Sequence, residues 1–63
     1  MKIMQVVYLV YHDEKYVGKS PIREQAVHAA IRAIDTKKAK RTRVFKKYIS
    51  GDLEKIYDSK WFE

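Results

Sequence analysis

Ser20 followed by Pro21 opens the longest stretch of this chain whose apolar residues recur at helical spacing, and the rest of the fold has to be arranged around it. A serine side chain accepts from an unpaired amide at a helix start, and proline lacks the amide that would be orphaned at the first helical position. The spacing predicts a helix to Asp35 or Thr36. Projected at about 100° per residue, Ile22, Ala26, Val27, Ala29, Ala30, Ile31, Ala33 and Ile34 fill one broad side. Glu24, Gln25, His28, Arg32 and Asp35 fill the other, and Arg23 intrudes only in the first turn, where its long stem reaches water.

The flanks read as strands. Ile3 to His12 is apolar on both alternating faces, with Ile3, Val7, Leu9 and Tyr11 on one and Met4, Val6, Tyr8 and Val10 on the other, which is the mark of a central strand. HDEK supplies a turn, and KYVGK returns to about Lys19. After the helix, RVFKKYIS is a strand, Ser50 to Asp52 a turn, and LEKIYDS its partner. A three-residue loop there would set Phe45 and Ile49 beside Tyr57 and Leu53. The competing reading makes residues 52–62 a second helix (ββαβα), because Leu53, Ile56, Tyr57 and Trp61 also fit helical spacing. The expected architecture is α+β, ββαββ: one domain over 1–63, an antiparallel sheet of about four strands with one helix on one face, and Trp61 and Phe62 folded back onto the body.

A chain of 63 residues buries only about 60% of the surface that it exposes unfolded. With no cysteine and two histidines, disulfide and metal staples are closed to it, which leaves packing and self-association. One helix covers one sheet face, so Met4, Val6, Tyr8 and Val10, or their alternates, must meet water or a second molecule, and a homodimer is expected. The absence of cysteine fits a reducing compartment. The apolar start is interrupted by Gln5 and runs into HDEK, unlike a signal peptide, and nothing approaches the about 20 apolar residues of a membrane span. The expected location is cytoplasmic, with no membrane partner.

The net charge of +6 is concentrated. Residues 1–36 carry five positive and four negative side chains, 37–47 seven positive and none negative, and 48–63 two positive and four negative. Lys37, Lys38, Lys40, Arg41, Arg43, Lys46 and Lys47 are therefore the candidate phosphate contacts. The first four lie in a connection and reach outward; along the strand, Arg43, Phe45 and Lys47 share one side and Val44, Lys46 and Tyr48 the other. An acidic protein surface is the other partner that such a segment fits. The plain alternative has these cations completing a helix C-terminus and guarding a sheet edge, with Phe45 in the core. Tyr8, Tyr11 and Tyr48, with Tyr16 and Tyr57, could stack unpaired bases or form an interface, although the signature of RNA-recognition sheets is missing.

No catalytic constellation emerges. His12 beside Asp13 and Glu14 sits in a turn whose neighbours point apart, Glu24, His28 and Arg32 form a helical ladder of side-chain pairs, and no serine lies in a nucleophile motif. No metal site or cofactor is expected, and the chain reads as a non-enzymatic binding module. Its first expected role is nucleic-acid binding through residues 37–47. The alternative is a small interaction or inhibitor protein that uses its open sheet face or basic patch. In size and lack of catalytic groups it looks like accessory proteins of bacteriophages, a likeness that no motif carries.

Overall fold

The computed structural model describes residues 6–62. Strands β1 (Val7–His12) and β2 (Lys15–Ser20) precede helix α1 (Arg23–Asp35), and β3 (Thr42–Lys47) and β4 (Leu53–Asp58) follow it, with a 3-10 turn over Ser59–Phe62. All four strands form one antiparallel sheet in the order β2-β1-β3-β4, so the architecture is ββαββ. The strand that is apolar on both faces, β1, is indeed internal; Ile3 and Met4 lie outside the described residues.

Asp13 and Glu14 join β1 to β2 with φ of 51° and 70°. Two consecutive residues at positive φ make the tight turn whose twist matches paired strands, a place usually taken by Asn-Gly. Asp13 is held there by more than its own preference. Its Oδ1 accepts from the amides of Lys40 and Arg41, both at 3.1 Å, and its own amide donates to the Arg41 carbonyl at 2.8 Å. The first turn is thereby stitched to the basic connection.

The helix begins two residues later than Ser20-Pro21 implies. Ser20 is the last residue of β2, and Ile22, extended at φ −112°, stands at the cap position without a capping side chain. Ser20 Oγ accepts instead from the Ile22 amide at 3.1 Å, closing the local turn that takes the chain out of the strand. The other end is as expected. Lys37 takes φ 62°, its amide donates to the Ile34 carbonyl at 3.0 Å, and the Lys38 amide donates to Ala33 at 2.8 Å, the paired bonds of a Schellman stop.

The buried helix residues are Ala26, Ala30 and Ala33; Ala26 and Ala30 form the core with Val10 and Val44, and Tyr8, Ile56 and Tyr57 pack at its rim. Small side chains let the backbones approach, and Thr42 Oγ1, fully buried, donates to the Ala30 carbonyl at 3.2 Å. The expected apolar side is wider than the sheet can cover, and Ile22 and Ile31 remain exposed.

Glu14 and Lys37 both hold the left-handed backbone that glycine adopts freely. Glu14→Gly and Lys37→Gly are each expected to stabilise the fold by about 0.5–1 kcal/mol, seen as a higher urea midpoint; a drop in either midpoint would show that the side chain contributes more than its backbone strain costs.

The second hairpin is present as expected, with its turn and register corrected. Leu53–Asp58 is a strand, so the helical alternative over 52–62 fails except for the final 3-10 turn. The turn is a three-residue loop, but it lies one residue earlier, over 49–51 rather than 50–52: the Tyr48 amide donates to the Asp52 carbonyl at 3.0 Å, the Gly51 amide to the Tyr48 carbonyl at 2.9 Å, and Gly51 sits at φ 97°. Val44 pairs with Tyr57 and Phe45 with Lys55, a register shift that leaves Phe45 on the opposite face from Tyr57 and puts Ile49 in the turn, 68% exposed. Phe62 stacks on Tyr57 with centroids 5.7 Å apart. Among the described residues, no helix is long and apolar enough to cross a membrane.

Candidate nucleic-acid interface

Because Val10 and Val44 face α1, alternation turns Leu9 and Tyr11 of β1 and Arg43, Phe45 and Lys47 of β3 to the uncovered side. Pairing adds Tyr16 and Lys19 from β2, opposite Tyr11 and Leu9, and Lys55 from β4, opposite Phe45. The rings touch. Tyr11 meets Tyr16 edge-on at 5.7 Å and Phe45 at 5.4 Å, and the Arg43 guanidinium lies 5.9 Å from the centroids of both Tyr11 and Phe45. This is a run of three aromatic rings across three strands, with cations around it.

Phe45 is therefore not a core residue; it is half-buried on the open face. Reading it as core missed the alternation Arg43-x-Phe45-x-Lys47, which sends ring and charges the same way. The sequence pattern gives no sign of Lys19 and Lys55 here, and Tyr16 enters only among the remaining tyrosines, although the two-residue turn already sets Tyr16 opposite Tyr11. Of the three tyrosines singled out, Tyr11 alone stands in the cluster. Tyr8 packs against the core, and Tyr48 lies with Lys46, whose Nζ is 4.9 Å from its ring centroid. The Tyr48 hydroxyl donates to Glu54, and that bond to a carboxylate raises its pKa above the ordinary phenol value.

The seven cations of 37–47 do not act together. Lys37 completes the helix stop, Lys38 and Lys40 are exposed in the connection, Arg43 and Lys47 join the open face, and Lys46 points to the helix side. Arg41 does not reach freely outward. Its Nε and Nη2 bind the two oxygens of Asp58 at 3.2 and 2.7 Å, a bidentate pair. Nor do the β3 cations guard an edge, since β3 is an inner strand between β1 and β4.

Asp58 is 1% exposed, and Lys55 Nζ at 2.8 Å and the Lys60 amide at 3.0 Å complete its shell. The Arg41 hydrogen bonds, against the opposing effect of burial and with help from Lys55 and Lys60, hold its carboxyl well below the usual carboxylate range. It thus stays ionised at the border of the open face, fully neutralised by its neighbours. Lys55 also lies 5.9 Å from the Trp61 ring centroid.

On the helix side, Val27, Ile31, Ile34, Tyr57 and Phe62 line an open groove of about 530 Å³, with Asp35, Lys40 and Ser59 at its polar margin. Among the described residues no group of three or more His, Asp or Glu side chains is placed to hold a metal ion. No family model, curated protein or solved structure matches the chain, so its role has to be read from this geometry.

Proposed function

We propose that the chain is a non-enzymatic module that binds single-stranded nucleic acid, stacking unpaired bases on the open sheet face and meeting phosphates with the cations around it. The observation that carries this reading is the contiguous run Tyr16, Tyr11 and Phe45 with Arg43 against two of the rings. Every base has a π-face, so such a platform binds with little sequence preference, and the surrounding lysines follow the backbone. Lys19 and Lys47 supply that charge, and Arg41 and Lys55 together outweigh Asp58 by one positive charge. Asp58, the carboxylate at the border, is already neutralised by Arg41 and Lys55. A flat sheet face fits splayed bases better than a duplex, whose bases are stacked on one another.

The test is a fluorescence titration against labelled single-stranded RNA, single-stranded DNA and duplex DNA at several salt concentrations. Single strands should bind more tightly than duplex, and log affinity should fall against log salt with a slope of about 0.7 per phosphate contact. Tighter binding to duplex would return the role to the exposed lysines of the connection, and absence of binding at low salt would remove the reading. A second reading, a small interaction or inhibitor protein, is favoured by one feature, the apolar groove between α1 and the terminal 3-10 turn.

A further inference from the structure

Behind the ring cluster, at the same end of the sheet but on its helix side, a second depression of about 280 Å³ lies between the last turns of α1 and the end of β1. His12, Arg32, Thr36 and Lys38 form its polar wall, and Ala29 and Ala33 its apolar wall. No carboxylate lines it. Neither Arg32 nor Lys38 enters an ion pair among the described residues. Two like charges that share a small depression without a counter-charge repel each other, and the arrangement is relieved only by water or an anion.

Two further details favour the anion. Nε2 of His12 is buried and has no hydrogen-bond partner; a nitrogen in that state is costly to leave unmade, and when it carries the proton it is a donor with nothing to receive it. The helix carbonyls that would repel an anion here are already occupied. That of Arg32 accepts from the Thr36 amide and hydroxyl, that of Ala33 from the Lys38 and Ala39 amides, and that of Ile34 from the Lys37 amide. The helix end carries only about half a negative charge against the two full positive charges of Arg32 and Lys38, so a net positive charge remains beside it.

From these features we infer that the depression is a binding site for a phosphate group. The depression is lined by a fork-shaped guanidinium and an ammonium, with the His12 imidazole in the same wall, and a phosphate group suits such a set of donors because it carries charge and acceptor oxygens together. The phosphate comes either from a free phosphate or monoester, or from the diester backbone of a strand.

Amide-resolved NMR titrations of the full chain separate these sources. One arm adds inorganic phosphate against chloride at equal ionic strength, and the other adds a single-stranded oligonucleotide with a 5′-hydroxyl end, which presents only diesters. Saturable shifts at His12, Arg32 and Lys38 are expected in at least one arm, and the arm that produces them names the source. The Arg32→Gln, Lys38→Gln variant should weaken that response by about tenfold or more, the effect of losing a charge-assisted hydrogen bond. Both side chains are exposed on the helix and its stop, so the variant should fold, and its own spectrum reports whether it does. Shifts that only follow ionic strength, or saturation that is unchanged in the variant, would overturn the site. The phosphate arm does not involve the ring face, so its result stands whether or not Tyr11 and Arg43 respond to the oligonucleotide.

Discussion

Asp58→Asn is expected to lower the stability of the fold by about 3 kcal/mol at pH 7, the lower end of what removing one member of a buried ion pair costs. The lower end applies because the partners are not sealed in: Arg41 and Lys55 side chains are 31% and 36% exposed and can turn to water once the carboxylate is gone, whereas Asp58 itself is buried. For a chain of this length the whole stability is roughly 3–9 kcal/mol, so the variant should be close to unfolding. Three connections meet at this residue, since Arg41 belongs to the α1–β3 connection, Lys55 to β4 and Lys60 to the terminal turn. Acid gives the same interaction a second test. The folded-state pKa is depressed below the unfolded value of about 4, so the contribution is complete above that value and is lost as pH falls through the folded one. Urea midpoints followed by circular dichroism should show a wide gap between parent and variant at pH 7 that narrows below about pH 4. A gap that is constant with pH would mean that the asparagine fails for reasons of packing rather than charge.

The legible part of the fold was the part set by local periodicity. Alternating and helically spaced apolar side chains leave few options, and β1, α1 and the hairpin nature of β3–β4 follow from them. What local pattern could not supply was register. The shift between Val44 and Phe45 and the turn placed over 49–51 decide that Tyr57 lies opposite Val44 rather than Phe45, and both depend on pairing with β4. The same limit explains Arg41. In sequence it is one of seven similar cations, and only folding brings it to a carboxylate 17 positions away. HDEK marks Asp13 as a turn former, which it is, but its bonds to the amides of Lys40 and Arg41 span 27 and 28 positions and have no local trace. The candidate site was therefore half legible: the charge was visible, and the ring cluster that gives it a chemical preference was not.

That cluster yields the other large expected effect. Tyr11→Leu and Phe45→Leu keep an apolar side chain over the sheet but remove the ring, and each should weaken binding of a single-stranded oligonucleotide by about 5- to 150-fold, the range of about 1–3 kcal/mol for one stacked base. The two rings touch each other and share Arg43, so the double variant should lose less than the product of the single losses. Arg43→Gln should lower both the affinity and the salt slope, because it removes a charge as well as a planar group that lies against the rings. The contrast is Lys37→Gln, Lys38→Gln, Lys40→Gln. These side chains are exposed in the connection, away from the rings, and their loss should flatten the salt slope without changing the preference for single strands over duplex. Should the triple variant abolish binding while the leucine variants bind normally, the phosphate grip is the basic connection and the open face serves another purpose, with pairing to a second copy of the chain the first alternative to measure by sedimentation.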